Sequence, residues 1–196
     1  MSDVAEWLNA TLASDAAEGR NVVAPGLLRP LDPASRVVGP AFVVLSSQDD
    51  NMAVNQAVAS SPPPGCILVV GGHGGSRTAT IGDIMALEIR QKGVLGVITD
   101  GLVRDARAIR DLGLPVWCRG TTPTSSSKLG PGAVGGTVLI GGAVVRDGDL
   151  VIADDDGIVV WPRENVTELV ERARARLESD NARLARLRAG QGGTTP

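Results

Sequence analysis

Asp83, Arg104 and Asp105 have the residue types and the spacing to hold an anion and a hard cation together. Asp83 belongs to Gly82-Asp83-Ile84-Met85, a turn entering a segment of helical composition. Backbone N–H groups at a helix start point outward and carry the positive end of the helix dipole. Gly82, Ile84 and Met85 are therefore candidates to bind a carboxylate or phosphate. Arg104 offers a planar guanidinium fork for a carboxylate, and Asp105 offers a hard oxygen for Mg2+ or Mn2+. The Arg-Asp pair follows the apolar run VLGVIT (94–99) and the turn Asp100-Gly101. Both sites should lie at the ends of neighbouring strands on one edge of a sheet, where open α/β sheets place ligands. A plainer reading also stands, in which Asp105 caps its helix and Arg104 neutralises a neighbour.

Other polar residues carry weaker signals. His73 is the only histidine and sits in Gly71-Gly72-His73-Gly74-Gly75, just before the Asp83 turn. It is either a solvated loop side chain or a substrate contact acting near neutral pH. One histidine cannot form a metal cluster, and this loop lacks the GxxxxGK[ST] form of a phosphate-binding loop. Asp154-Asp155-Asp156-Gly157 looks like a metal site but reads as a turn. The lysines are Lys92 and Lys128. Lys92 ends a helix, where a cation is favourable anyway, and neither suggests a Schiff base. Cys66 and Cys118 lie in apolar, strand-like runs and read as buried free thiols of a reducing compartment.

The elements that must position these groups follow from pattern. The chain has 196 residues, enough for one domain with a real core. Hydrophobic residues make up 43%, with one Phe, three Trp and no Tyr, so the core must be aliphatic. A net charge of −3 and scarce aromatic stacking platforms argue against a nucleic-acid binder. There is no apolar run of membrane-spanning length and no leader-like start, so the expectation is a soluble, cytoplasmic protein. Residues 3–18 read as one helix, 36–46 as a strand, 51–60 as a short helix and 66–70 as a buried strand. Then come a helix over 81–92, a strand at 94–99, a helix from Asp105 to Leu112 and a strand at 114–118. This alternation predicts a parallel or mixed sheet with helices packed on it. Residues 121–136 are loop-like. Strands at 137–145, 149–154 and 157–162 follow, then a charged helix over about 163–189. The expectation is one domain over 1–190 and a disordered tail at 191–196.

Asp83, twenty intervening residues and Arg104-Asp105 together resemble the D-X20-R-D pattern of the RraA-like proteins. That family includes 4-hydroxy-4-methyl-2-oxoglutarate/4-carboxy-4-hydroxy-2-oxoadipate aldolases, oxaloacetate decarboxylases and regulators of ribonuclease activity. VVAPGLLRPLDPASRVVGPAFVV, Asp50-Asn51, GDIMA (82–86), KGVLGVITDGLVRD (92–105), LGLPVWCRG (112–120) and GDLVIADDDGIVVWP (148–162) agree in order. The likeness spans about residues 15–165.

The resemblance implies an α/β fold, a swivelling β/β/α sandwich with a C-terminal helix. It implies a homo-oligomer, a trimer or a dimer of trimers, with active sites between subunits. Asp105 would hold Mg2+ or Mn2+ partly through water. Arg104 would bind the oxo and carboxylate oxygens of a small 2-oxo acid. The Gly82–Met85 amides would take the carboxylate, and Asp83 would orient or deprotonate a water. Aldolase members use an acid from the neighbour's C-terminal helix; Asp180 is the candidate here, with Glu178 second. Asp180 shares a seven-residue spacing with Ala173 and Leu187, although a solvated helix face is the more frequent explanation for such charges. The expected activity is a metal-dependent lyase of a pyruvate-like 2-oxo acid, by retro-aldol cleavage or decarboxylation. The rivals are an enzyme of the same fold recruited to another 2-oxo or 2-hydroxy acid, and a non-enzymatic regulator that binds a ribonuclease. Regulators need not keep the metal-binding acid, and this chain keeps both Arg104 and Asp105.

Overall fold

The computed structural model describes residues 2–191. Most of the tail expected to be disordered therefore lies outside the described residues, while Gln191 is the last residue of the C-terminal helix. In chain order the elements begin with α1 (Ser2–Trp7), α2 (Ala10–Ala16), β1 (Arg29–Pro30), β2 (Val37–Leu45) and α3 (Met52–Ala59). They continue with β3 (Ile67–Gly71), β4 (Ala79–Ile81), α4 (Asp83–Gln91), β5 (Gly96–Thr99), β6 (Leu102–Val103) and α5 (Ala106–Leu112). Next come β7 (Val116–Cys118), β8 (Gly120–Thr121), β9 (Ala133–Val134), β10 (Thr137–Ile140), β11 (Ala143–Arg146), β12 (Leu150–Ala153) and β13 (Ile158–Trp161). A 3-10 turn at Arg163–Asn165 leads into α6 (Val166–Gln191).

The main sheet is mixed, ordered β1-β7-β5-β3-β2-β12-β13, with β9 also paired to β2. Strands β2, β3, β5 and β7 are parallel, and β1, β12 and β13 join antiparallel. All of β3 is buried, which is why ILVVG has no polar alternation. Side-chain alternation sorts the two faces. Val44, Leu68, Val70 and Val97 pack against α3, α4 and α5. Val38 points to the same face and joins Leu150, Ile152 and Trp161 under α1, α2 and α6. Val43, Ile67, Val69 and Val151 face the other way, onto the β10–β11 hairpin. The result is hairpin, sheet and helices in three layers, the β/β/α arrangement expected.

Three local expectations are corrected. The helix over 3–18 is two helices. Asn9 takes extended backbone (φ −117°, ψ 171°), and its side chain accepts the Leu12 N–H at 2.8 Å, restarting the helix with a new cap. The segment 137–145 is a hairpin, turning at Gly141 (φ 53°) and Gly142 (φ 84°), the paired positive φ that a tight hairpin turn demands. Ile81 ends strand β4 rather than opening α4, because β4 pairs with β6. Cys66 and Cys118 are buried free thiols, and burial pushes each up to about 11. No helix among the described residues is long and apolar enough to cross a membrane.

Candidate functional site

Strands β4, β6 and β8 form a small parallel sheet of their own. β4 feeds α4 and β6 feeds α5, so parallel pairing brings the two helix starts side by side. The Arg104 N–H donates to Ile81 O at 3.0 Å, locking the junctions together. Asp83 and Arg104-Asp105 therefore meet. The strands that deliver them are β4 and β6, not the edge of the main sheet through 94–99.

Asp105 occupies the N-cap position of α5, but its side chain makes no cap hydrogen bond. Its backbone is left-handed (φ 56°, ψ 35°), a conformation that costs a non-glycine residue on the order of 1–3 kcal/mol. That geometry turns the carboxylate toward α4. Oδ2 lies 3.2 Å from Arg104 Nε and 3.5 Å from the Asp83 N–H, so the capping reading of Asp105 fails for its side chain. Arg104 and Asp105 are half-exposed (39% and 41%). A pair this wet contributes at most about 1 kcal/mol to stability. Gly82 makes the approach possible: a Cβ there would lie 2.8 Å from both Arg104 Nε and Asp105 Oδ2.

The amides at the start of α4 are partly engaged. Ile84 N–H donates to Asp83 Oδ1 at 2.8 Å, and Ala86 N–H opens the helical ladder to Gly82 O at 2.9 Å. No acceptor for the Met85 N–H lies among the described residues, which leaves one amide aimed out of the helix start.

Gly82, Ile84, Met85 and Arg104 line a cleft of about 390 Å³; Asp83 and Asp105 are not among its lining residues but adjoin Gly82 and Arg104. Its far wall is polar: Asn51, Asn55, Ser125, Ser126 and Lys128, with Glu88 on α4. Asn55, Ser126 and Lys128 carried no motif, since they arrive from a short helix and a loop distant in sequence. The signal that could have found them is Asp50. Its carboxylate accepts N–H groups of Met52 (2.8 Å), Leu129 (2.7 Å) and Gly130 (2.8 Å), tying the Lys128 loop to the start of α3. Burial raises the Asp50 pKa, but those three bonds and one from Ser127 outweigh it and hold the group at about 2. Asn51 Nδ2 donates to Thr80 O (3.1 Å) and Ser126 Oγ to Ala79 O (2.8 Å), fastening both to β4.

The other candidates lie elsewhere. His73 is fully buried, so it is not a solvated loop residue, and it is not among the residues lining the cleft. Asp180 pairs with Arg176 at 3.1 Å on α6, and Arg176 also reaches Asp15 of α2 at 3.3 Å. Within one chain Asp180 does not reach the cleft. Glu178, also on α6, is exposed. Asp154 Oδ2 accepts the Ala10 N–H at 2.8 Å and Oδ1 that of Asp156 at 3.0 Å, so this acidic run pins a turn to α2. A second cleft of about 380 Å³ lies around Arg20, Arg146 and Arg172, away from Asp83, Arg104 and Asp105.

Among the described residues, no group of three or more His, Cys, Asp or Glu side chains is placed to hold a metal. A hard ion that keeps most of its waters requires only one or two carboxylates. Asp105 supplies one, half-exposed and reached through Oδ2 alone, with Asp83 next to it. The all-oxygen donor set fits Mg2+ or Mn2+ better than a softer metal.

Comparison with known proteins bears on the family and the fold. The family model RraA-like: Aldolase/RraA matches residues 10–160. A Halalkalibacterium halodurans protein named "Putative 4-hydroxy-4-methyl-2-oxoglutarate aldolase" is 34% identical over 88% of this chain and 81% of its own length. Streptomyces coelicolor RraAS2, an unusual member of the RNase ES inhibitor RraA protein family, superposes with a TM-score of 0.81. It is 32% identical, over 95% of this chain and 96% of its own. An uncharacterized protein from Pseudomonas syringae pv. tomato superposes at 0.82 with 30% identity, over 98% and 89%. Sequence and fold together place this chain in the RraA-like family.

Proposed function

We propose that this protein is a divalent-metal-dependent lyase that cleaves a C–C bond of a pyruvate-like 2-oxo acid. The observation that carries the reading is Asp105 itself. A left-handed backbone turns its carboxylate away from its own helix and toward Arg104 and the Asp83 amide of α4. A structural cap would do the opposite. Support also comes from the aldolase name of the Halalkalibacterium relative.

In this reading the Met85 N–H, with the dipole of α4 behind it, holds the substrate carboxylate. The Arg104 fork binds the 2-oxo oxygen and stabilises the negative charge that grows there as the bond breaks. Asp105 and Asp83 hold Mg2+ or Mn2+, directly or through water; when bound, the ion polarises the 2-oxo group as a Lewis acid. Asp83, beside both, orients or deprotonates a water. In retro-aldol cleavage the 4-hydroxyl proton would pass to the water or hydroxide that Asp83 orients, the pair of the breaking C–C bond would move into the pyruvate enolate, and an acid would then protonate the enolate carbon. The protein would work as a homotrimer or hexamer, with Asp180 of a neighbour supplying the acid that one chain does not bring. If Asp180 has no such role, decarboxylation is the favoured reaction, since carbon dioxide departs without a hydroxyl proton to remove.

The likeness to RraAS2 favours a second reading, a regulator that binds a ribonuclease. Pyruvate release from 4-hydroxy-4-methyl-2-oxoglutarate and from oxaloacetate, with Mg2+ and with EDTA, separates them. Oxaloacetate is corrected for its metal-catalysed background. Turnover that EDTA abolishes supports the lyase, and the ratio of the two substrates distinguishes aldolase from decarboxylase. The absence of turnover with either substrate would reject this reading in favour of a regulator or an enzyme of another 2-oxo acid.

A further inference from the structure

His73 has an environment that its glycine-rich loop does not foretell. Its ring is wholly buried. Ser76 Oγ accepts the Asp49 N–H at 2.9 Å and lies 3.3 Å from His73 Nδ1. Nε2 is buried without a hydrogen-bond partner among the described residues. The backbone around the ring is held firmly. Asp100 accepts the N–H groups of Gly72 (3.2 Å) and His73 (2.8 Å), and the Arg119 guanidinium donates to Gly74 O and Ser76 O.

The neighbours of the His73 side chain at Gly101 give the arrangement its meaning. A Cβ on Gly101 would run into the Thr80 hydroxyl and lie 2.7 Å from His73 Cβ. Thr80 also approaches Thr99 at 3.3 Å through their hydroxyls, and Thr99 Oγ1 accepts the Gly101 N–H at 3.0 Å. His73, Thr80 and Gly101 thus meet at one packed point. Thr80 lies three residues before Asp83, and Gly101 three residues before Arg104. Both arms of the candidate site spring from this contact.

We propose that His73 is a positioning residue: its neutral, buried ring holds the Thr80 strand and the Gly101 turn together, and so holds Asp83 against Arg104 and Asp105. Protonating the ring loosens that contact. Neutrality follows from the surroundings: burial lowers the His73 pKa and Arg119 adds to this, against the opposing pull of Asp100, Asp49 and Asp50. A second ring proton would place a charge where no solvent reaches.

His73 is the only histidine, so its ring C2–H resonance in the whole protein reports one titration. The experiment is an NMR pH titration that follows this signal and the backbone amides of Gly82, Asp83 and Asp105. The expected result is that the three amides shift with the midpoint of His73, below about 6.5. In His73→Phe, which fills the space but does not titrate, that shared transition disappears. Amides that ignore the His73 midpoint overturn the proposal. So does a His73 that stays neutral until the protein unfolds, or a shared transition that survives in His73→Phe. The wild-type titration decides alone should His73→Phe fail to fold. A kinetic arm rests on the lyase reading above: His73→Ala lowers kcat/KM by roughly 10²-fold through misplacement, and wild type shows an acid limb at the His73 midpoint that His73→Phe lacks. Absence of turnover at every pH would reject the lyase reading and leave the NMR result standing.

Discussion

Asp105 shows why a motif residue must be judged by where its backbone points it. A left-handed N-cap residue that forgoes its cap bond gains nothing for α5, so its carboxylate is free for another partner. Asp105→Ala should abolish metal-dependent pyruvate release while circular dichroism stays native; full activity in that variant would sink the metal assignment. Arg104→Ala should cost roughly 10²–10³-fold in rate if the guanidinium faces a developing oxyanion. A loss under about threefold would make it structural. Gly82→Ala tests the packing itself. Gly82 has φ −127°, which alanine adopts freely, so the backbone is not at issue. The added methyl would displace Arg104 Nε or Asp105 Oδ2, each 2.8 Å away. Turnover should fall on the order of 10²-fold with little change in Tm. Activity equal to wild type would show that the close approach does not matter.

At the scale of elements, the site depends on short pieces that carry little sequence signal. β4 has three residues and β6 two, too few for period-two alternation to register, and yet their pairing sets Asp83 beside Asp105. The longer elements α4, α5, β2 and β3 were legible within one or two residues, because each buries a periodic or continuous apolar face. The far wall of the cleft was illegible because one buried carboxylate assembles it from distant segments. Asp50→Ala should leave the Met52, Leu129 and Gly130 amides unpaired and destabilise the protein by about 2–3 kcal/mol, the scale of hydrogen bonds to a charged group. The folded pKa is depressed to about 2. The Asp50 contribution is therefore fully present above the ordinary carboxylate range, near 4, and is lost as pH falls from there toward 2. Urea unfolding of wild type and Asp50→Ala at pH 7 and pH 2.5 checks the sign: the gap between them should narrow in acid, and a constant gap would contradict it.

For the whole molecule, α6 is the informative element. Its first half buries Leu169 and Ala173 against α2 and the β12–β13 end of the sheet. Its second half leaves Leu184 and Leu187 exposed at 46% and 56%. The apolar spacing thus continues past the point where this chain covers it, as a helix laid across a neighbouring subunit would require. If Asp180 serves a neighbour's site, Asp180→Ala and Asp105→Ala chains, each inactive alone, should regain activity when refolded as a mixture. Mixed oligomers that stay inactive would place the acid elsewhere. From residues alone came the layered α/β fold, the pairing of Asp83 with Arg104-Asp105, and the family, because apolar periodicity and a spaced motif are local or one-dimensional signals. Tertiary structure alone decided that Asp105 abandons its helix cap, that Gly82 has no room for a side chain, and that Asp50 draws Lys128 to the cleft. It also buried His73 beside Gly101. Each of these depends on contacts between segments far apart in the chain, and such contacts exist only once the sheets have formed.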